Sequence, residues 1–201
     1  MELSLLFPTP VLTERNFLSE DSVNSIIELS EKQIFNSNSQ CNTASHTSEF
    51  DLFNVVEGAE LAKSLTKLGK LLFSEELEWK ISSAWINKLD KGGFQKLHNH
   101  ANSIISGIIY LTDIPESTAT KFWRVPDGSN FNFRNEHSGS KSNMVSSDFW
   151  SQDNLKAGDM IIFPSYVYHE VPENMNEARY SIAFNAIPNK LKFQSYEINF
   201  S

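Results

Sequence analysis

The chain has 201 residues, of which 40 % are hydrophobic, and its formal net charge is −8. A chain of this length can bury a large core, and no linker-like stretch divides it, so we expect a single domain over residues 1–201. The negative charge gives no general attraction to nucleic acid or to anionic membranes, which disfavours both as partners.

Three features of the sequence favour a cytoplasmic location. The N-terminal residues lack the basic segment and the long apolar core of a signal peptide. Cys41 is the only cysteine, which excludes an internal disulfide and suits a reducing compartment. No apolar run approaches the roughly 20 residues that are needed to span a bilayer, so we expect no membrane-spanning helix.

The first part of the chain, up to about residue 76, is predicted to supply helical support. Residues 19–35 and 57–73 each carry apolar residues at helical spacing, which predicts two amphipathic helices. A short apolar run at 3–7, ended by two prolines, predicts an edge strand. Residues 36–48 are rich in Asn, Ser and Thr, which predicts a polar loop.

The second part, about 77–201, is predicted to form the β-rich core. Aromatic residues make up 12 % of the chain, which favours strands over a helix bundle. Besides the histidine-rich segment, strands are predicted at residues 78–89, 104–111, 121–125, 149–155, 159–163, 167–171, 179–186 and 191–199. The pattern predicts an α+β, mainly β fold: a double-stranded β-helix (jelly roll, cupin-like) with N-terminal supporting helices. The long polar stretch at 126–148 is either a substrate lid, which would sit at this position, or simply a disordered segment.

The segment KLHNHANSIISGIIYL contains two histidines one residue apart. If it is a strand, His98 and His100 point to the same face, and two imidazoles on one face form two corners of a metal site. The third corner has to come from His46, His137 or His169, the remaining histidines. His46 and His137 lie in polar stretches, where a histidine is usually an ordinary surface residue, whereas His169 follows an apolar, strand-like run.

Several short motifs follow one another along the second half of the chain. They are His98-Asn99-His100, Tyr110-Leu111, Gly158-Asp159, His169 and Arg179-Tyr180-Ser181. Their order resembles the iron(II)/2-oxoglutarate-dependent oxygenases, where the pattern is His-x-Asp, Tyr-Leu, a Gly-Asp turn, a distal His and Arg-x-Ser. The resemblance is strongest to the prolyl-hydroxylase-like group and to a short bacterial and phage branch with His-x-His. It covers roughly residues 85–185, about half of the chain.

The resemblance implies an enzyme that binds Fe(II), 2-oxoglutarate and O₂. His98 and His169 correspond to metal ligands, and Arg179 corresponds to the residue whose guanidinium fork pairs with the far carboxylate of 2-oxoglutarate. Ser181 and Tyr110 correspond to residues that assist at that carboxylate. The implied reaction is hydroxylation of an unidentified small-molecule or protein substrate, with conversion of 2-oxoglutarate to succinate and CO₂.

Four other residues have a structural and a functional interpretation. Asn87 resembles an asparagine that binds the C1 end of 2-oxoglutarate or the substrate, but an ordinary asparagine on a half-exposed strand is an equally good interpretation. Trp85, Trp123 and Phe163 are predicted to belong to the barrel core rather than to a substrate-binding wall.

The sequence departs from the family pattern at position 100, where the family has a carboxylate and this chain has His100. Three interpretations follow: His100 is the third ligand, it points away from the metal, or the site is not catalytic. The branch with His-x-His favours the first. A neutral ligand leaves the iron more positive, which favours binding of the 2-oxo acid over oxidation chemistry. The alternative function is therefore a metal-binding cupin-like module without oxygenase activity, which would have no need of a buried Arg179.

Overall fold

The computed structural model describes residues 4, 7–32, 35–38, 41–47, 50–124, 137–138 and 147–200 of the chain. Most of the predicted edge strand at 3–7 and most of the predicted lid at 126–148 lie outside these residues. The described residues form two α-helices, thirteen strands and two short 3₁₀ turns.

The two helices are α1 (Glu20–Glu31) and α2 (Gly58–Phe73), so both helix predictions are confirmed. α1 starts after Ser19, whose side-chain oxygen accepts a hydrogen bond from the backbone N–H of Ser22. α2 ends at Ser74, which adopts the left-handed conformation with a φ of 57°. Within the described part of the chain, neither helix has the length and hydrophobicity of a membrane-spanning segment.

The strands form a large sheet, a small sheet and a separate two-stranded ribbon. In chain order they are β1 (Leu12–Glu14), β2 (Asn36–Asn38), β3 (Cys41–His46), β4 (Trp79–Leu89), β5 (Gln95–His98), β6 (Ile105–Tyr110), β7 (Lys121–Trp123), β8 (Phe149–Trp150), β9 (Met160–Pro164), β10 (His169–Val171), β11 (Arg179–Pro188), β12 (Lys190–Phe193) and β13 (Tyr196–Asn199). The large sheet has the order β1-β9-β6-β11-β4-β3-β2, the small sheet has the order β5-β10-β7-β8, and β12 pairs with β13. The strand pairs are antiparallel.

Two hydrophobic clusters place the large sheet between the helices and the small sheet. On its outer face, Ile86 of β4 belongs to one cluster with Ile26 of α1 and Leu61 of α2. On its inner face, Ile108 of β6 belongs to a second cluster with Phe122 of the small sheet. Successive residues of a strand point to opposite faces, so each central strand serves both clusters. Two facing antiparallel sheets with helices outside one of them form a jelly roll, and the predicted fold class is confirmed.

The prediction of a polar loop at 36–48 is wrong, because this region supplies β2 and β3. β3 extends the large sheet beside β4. Ala44 of β3 is buried, and the Thr47 side-chain oxygen accepts a hydrogen bond of 3.0 Å from the backbone N–H of Ile86. Backbone groups of almost any sequence can pair with a free strand edge, so a polar composition does not exclude a strand there.

The C-terminal stretch 191–199, predicted as one strand, is instead the hairpin of β12 and β13. Gln194 has a positive φ of 52° in the reversal, and Phe193 pairs with Tyr196 across it. The strand predicted at 149–155 is limited to the two residues of β8. Turn residues of this kind end strands that an apolar pattern alone would extend.

The Gly-Asp turn before β9 ties the N-terminal segment to the large sheet. Gly158 has a φ of 91°, and its carbonyl accepts a hydrogen bond of 3.0 Å from the backbone N–H of Leu18. The buried carboxylate of Asp159 accepts hydrogen bonds from the backbone N–H of Asn16 at 2.9 Å and from the Arg15 guanidinium at 2.6 Å. The turn therefore fixes where the chain enters α1.

Candidate metal and cosubstrate site

The inner face of the large sheet carries a row of polar side chains. The strand register pairs His46 of β3 with Asn87 of β4, and it pairs Asn87 with Ser181 of β11. Ser181 also pairs with Tyr110 of β6, and Arg179 lies two residues before Ser181 on the same strand face. Paired residues on neighbouring strands have their Cβ atoms about 4.5–5.5 Å apart, so the register brings these polar groups together.

Three imidazoles face this row: two belong to strands of the small sheet, and His100 lies just after the end of β5 rather than on the strand. His98, the last residue of β5, pairs with His169, the first residue of β10, and His100 follows His98 by two residues. One ring nitrogen of each histidine lies within 4.8 Å of the others, and the Nε2 atoms of His100 and His169 are 3.3 Å apart. Among the residues that the structure describes, no carboxylate belongs to this cluster. The convergent nitrogens are an arrangement that suits one metal ion.

Backbone carbonyls set the tautomers of two of these rings. Nδ1 of His98 lies 2.7 Å from the carbonyl oxygen of Lys96, and Nδ1 of His169 lies 3.0 Å from that of Val167. A carbonyl only accepts, so each Nδ1 carries the proton and donates it, which leaves the Nε2 lone pair free. The Nδ1 atom of His100 has no hydrogen-bond partner in the described part of the chain, so its ring is held differently.

The protonation states of the cluster also suit a metal ion. Burial, assisted by the neighbouring His98, lowers the pKa of His100 to about 4. Burial lowers the pKa of His169 to about 3, and the charge that His98 can carry again acts in the same direction. His100 and His169 are therefore neutral near pH 7, and the neutral imidazole is the form that coordinates a metal.

A buried guanidinium lies at the start of β11. Arg179 is 5 % exposed, and its Nε and Nη2 atoms have no hydrogen-bond partner among the described residues. Its Cζ atom lies 5.5 Å from the centre of the Tyr110 ring, and the Tyr110 hydroxyl is 3.1 Å from the hydroxyl of Thr120. Burial lowers the pKa of Arg179, although arginine stays protonated in proteins. A buried cation without a partner is costly, so this position fits an anionic group.

One cavity of about 910 Å³ contains both the histidine cluster and Arg179. Its walls are the inner face of the large sheet, the small sheet, and residues 46–47 and 50–53 at and after the end of β3. Phe53 in that segment is 56 % exposed, so it lies where the cavity meets solvent. This volume is at the upper end of the usual range for ligand pockets, which leaves room for a cosubstrate and part of a second molecule.

The structure brings most of the predicted site residues together in this cavity. Those that line it are Asn87, His98, His100, His169, Arg179 and Ser181. Tyr110 does not line it, because its fully buried ring lies against Arg179 instead. Phe163 is buried as predicted, whereas Trp85, which was also predicted to be core, is part-exposed in the cavity wall.

His46 is the cavity residue that the sequence prediction placed wrongly. It was expected to be an ordinary loop residue, but it lies on β3 and lines the cavity beside Asn87. Asp51 and Phe53 line the same wall and were not singled out either. Only the register of β3 against β4 reveals the position of His46, and the polar composition of the segment gives no sign of that register. His137 does not line the cavity.

A comparison of the sequence with family models matches residues 83–185 to a family of 2OG-Fe(II) oxygenases. This span is just over half of the chain and includes His98, His169 and Arg179. The chain belongs to this family. This is the family of 2-oxoglutarate-dependent non-haem iron oxygenases, so the resemblance of the motifs is confirmed. A comparison with curated proteins gives no match.

Solved structures show that the oxygenase shares its fold with distant relatives. HygX from Streptomyces hygroscopicus, with nickel and 2-oxoglutarate bound, is 15 % identical with a TM-score of 0.59, covering 90 % of this chain and 83 % of HygX. A 2OG-Fe(II) oxygenase family oxidoreductase from Burkholderia pseudomallei is 14 % identical with a TM-score of 0.58, covering 88 % and 83 %. The epimerase SnoN from nogalamycin biosynthesis is 11 % identical with a TM-score of 0.61, covering 90 % and 80 %.

Proposed function

We propose that this oxygenase hydroxylates an unidentified substrate, with His98, His100 and His169 as its iron ligands. Arg179 and Ser181 would bind the far carboxylate of 2-oxoglutarate. The observation that carries the proposal is the buried, unpaired guanidinium of Arg179 in the same cavity as three convergent imidazoles. A cavity that held only a metal ion would have no use for that cation.

The histidine cluster has the chemistry that a ferrous ion needs. His98 and His169 already present their Nε2 lone pairs, because their Nδ1 protons are bound by backbone carbonyls. Imidazole nitrogen suits iron, and three protein ligands leave other coordination positions open for a cosubstrate and O₂. His100 completes the set of three at the position where the family pattern has a carboxylate.

The region around Arg179 has the chemistry that 2-oxoglutarate needs. A guanidinium pairs with a carboxylate through two parallel, charge-assisted hydrogen bonds. The Ser181 hydroxyl, on the same strand face, is suited to donate to the same carboxylate, and Tyr110 supports Arg179 through its ring rather than through its hydroxyl. Asn87 lies beside Ser181 and has amide hydrogens for the C1 carboxylate or the substrate.

When bound, iron and 2-oxoglutarate would let O₂ act as the oxidant: 2-oxoglutarate is oxidised to succinate and CO₂ with one oxygen atom, and the other oxygen atom hydroxylates a C–H bond of the substrate. The chain itself contributes binding, orientation and exclusion of water. Ile108, Phe163 and Ala183 are buried apolar residues of the cavity wall. An apolar wall of this kind would strengthen the ion pair between Arg179 and the carboxylate of bound 2-oxoglutarate, because charges interact more strongly where water is excluded.

The all-imidazole cluster favours a second candidate function. The family pattern has a carboxylate at position 100, and a chain that lacks it can retain a metal ion without oxygenase activity. In that case the protein would be a metal-binding cupin-like module. The unpaired Arg179 argues against this function, because such a module does not need to bury a cation without a partner.

An anaerobic titration with Fe(II) and 2-oxoglutarate distinguishes the two functions. Chelation of ferrous iron by the 2-oxo acid gives a weak visible charge-transfer band, which we expect from the wild-type protein. Arg179→Gln should bind iron as wild type does but need far more 2-oxoglutarate to develop the band. Breaking a buried charge pair from one side costs about 3–5 kcal/mol, which is roughly two to four orders of magnitude in affinity.

The matched control is Lys67→Gln, which removes one positive charge from an exposed position on α2. It should titrate as the wild-type protein does. The cupin-like module becomes the better interpretation if the wild-type protein binds stoichiometric iron but shows no band at any concentration of 2-oxoglutarate. Equal titration by wild type and Arg179→Gln would remove Arg179 from the cosubstrate site.

A further inference from the structure

Trp85 is the residue that links the histidine cluster to the polar row of the large sheet. Its ring stacks on the His100 ring, with centroids 5.8 Å apart and planes at 25°. Its indole Nε1–H donates a hydrogen bond of 3.1 Å to the side-chain oxygen of Asn87. Trp85 is part-exposed in the cavity wall rather than buried in the core, so both contacts lie at the site.

The stacking contact matters because His100 lacks the support that the other two histidines have. His98 and His169 are oriented by hydrogen bonds from Nδ1 to backbone carbonyls. Among the described residues, the Nδ1 atom of His100 has no hydrogen-bond partner. Apart from the other two histidines, the described aromatic residue that stacks on the His100 ring is Trp85. Stacked rings prefer offset geometries with centroids about 4.5–7 Å apart, so this contact favours one orientation of the His100 ring.

The hydrogen bond matters because it settles which way the Asn87 amide points. An indole N–H can only donate, so the Asn87 atom that faces Trp85 has to be the carbonyl oxygen. The NH₂ group of Asn87 is then left to donate, and it has no hydrogen-bond partner among the described residues. The register places Asn87 between His46 and Ser181, in the row where an anionic cosubstrate would lie.

We propose that Trp85 is a positioning residue with two separate actions. Its ring orients His100 toward the metal, and its N–H orients the Asn87 amide so that two N–H donors face the cosubstrate. This inference deepens the proposed function and rests on it, since it assumes that the cluster binds a metal and that 2-oxoglutarate occupies the cavity.

Two classes of substitution separate the actions. Trp85→Phe keeps an aromatic ring and removes the N–H, so Co(II) affinity should stay within about threefold of wild type while 2-oxoglutarate affinity falls about fivefold to tenfold. Trp85→Leu and Trp85→Met fill the space without a ring, so Co(II) affinity should also fall about tenfold. Trp150→Phe and Trp150→Leu are the controls, because Trp150 is 40 % exposed and does not line the cavity.

A double-mutant cycle tests whether Trp85 acts through His100. Co(II) binding to the purified full-length protein would be followed anaerobically by visible absorption, which reports the number and type of ligands, and by calorimetry. His100→Ala should weaken Co(II) binding, and Trp85→Leu or Trp85→Met should add no further loss in the His100→Ala background. The Co(II) spectrum of Trp85→Leu should shift toward that of His100→Ala, and that of Trp85→Phe should remain like wild type.

Three results would overturn the inference in distinguishable ways. If the wild-type protein binds no Co(II), the proposed function fails and the role of Trp85 fails with it. If wild type binds Co(II) and the losses from Trp85→Leu and His100→Ala simply add, Trp85 has only a structural role. If Trp85→Phe leaves 2-oxoglutarate affinity unchanged, the hydrogen bond to Asn87 does not contribute to cosubstrate binding.

A variant that fails to fold is also informative. Should Trp85→Leu not fold, Trp85→Met provides the same comparison. If neither variant folds, the Trp85 ring is structural and its proposed action on His100 fails.

Discussion

The three imidazoles of the cluster are held in different ways. His98 and His169 each donate Nδ1–H to a backbone carbonyl two residues earlier in the chain, whereas His100 rests against Trp85. A carbonyl fixes both the orientation and the tautomer of an imidazole, so two ligand nitrogens are preset before a metal arrives. We therefore expect the three histidines to contribute unequally to metal affinity.

His98→Ala and His169→Ala should each abolish stoichiometric iron binding and leave the fold intact. Each substitution removes a preset ligand, while the core on either side of the large sheet does not depend on metal. Anaerobic dialysis followed by iron determination measures the binding, and circular dichroism checks the fold. His137→Ala is the control, because His137 is exposed and lies outside the cluster. Stoichiometric iron in either cluster variant would refute the ligand assignment.

Substitutions of His100 address the departure from the family pattern. His100→Ala should weaken iron binding by about tenfold or more, since losing a ligand should cost at least as much as losing a residue that supports one. His100→Asp restores a carboxylate, but its shorter side chain reaches less far, so we expect an intermediate iron affinity and partial activity. Anaerobic iron titrations of wild type and both variants give the order. Equal binding by wild type and His100→Ala would exclude His100 from the coordination sphere.

At the scale of elements, the Gly-Asp turn before β9 is the most constrained connection described above. A Cβ at Gly158 would overlap the carbonyl oxygen of Leu18, and the φ of 91° disfavours any other residue. Gly158→Ala should lower the free energy of unfolding by about 2–4 kcal/mol, from overpacking together with the left-handed backbone. Urea unfolding measures the change. The control is Gly58→Ala at the start of α2, where a Cβ would make an ordinary contact of 3.4 Å with Phe53.

The elements that the sequence predicted best are those in which the pattern of apolar residues reflects burial in the core. α1 and α2 have apolar stripes at helical spacing, whereas β6 and β9 are short, mainly apolar runs that are buried along their whole length, so the sequence marked all four. β3 was missed because its place in the sheet depends on backbone pairing with β4, to which its polar side chains give no clue.

The candidate site was predictable only where a motif marked it. The His-x-His pair, His169 and Arg179 stand in recognisable order, and the structure brings them into one cavity. The contact of Trp85 with His100 joins β4 of the large sheet to the residues just after β5, and nothing in either local sequence encodes that contact. The sequence does not mark His46 for a related reason, since its position follows from the register of β3 against β4.

At the scale of the whole molecule, ligand binding should appear as a gain in stability. Iron and 2-oxoglutarate that bind only the folded chain add about 2.7 kcal/mol when present at 100 times the dissociation constant. For a chain of this length that corresponds to a rise in melting temperature of about 5–10 °C. Anaerobic differential scanning fluorimetry of the wild-type protein with Fe(II), with and without 2-oxoglutarate, measures both increments.

Arg179→Gln should separate the two increments. The apo variant should melt at or above the temperature of wild type, because the substitution removes a buried cation that has no partner in the described residues. The increment from Fe(II) should remain, and the increment from 2-oxoglutarate should be lost. A rise with 2-oxoglutarate that matches wild type would mean that the cosubstrate is bound elsewhere.

The cavity is built from two stretches of chain, one inside the family match and one before it. The family match spans 83–185 and contains the metal and cosubstrate residues, whereas the wall with His46, Asp51 and Phe53 lies before it. Mutations in that wall can alter which molecule is admitted while the reacting groups stay as they are. Variation at Asp51 and Phe53 should therefore change substrate preference without changing the residues assigned to metal and cosubstrate binding.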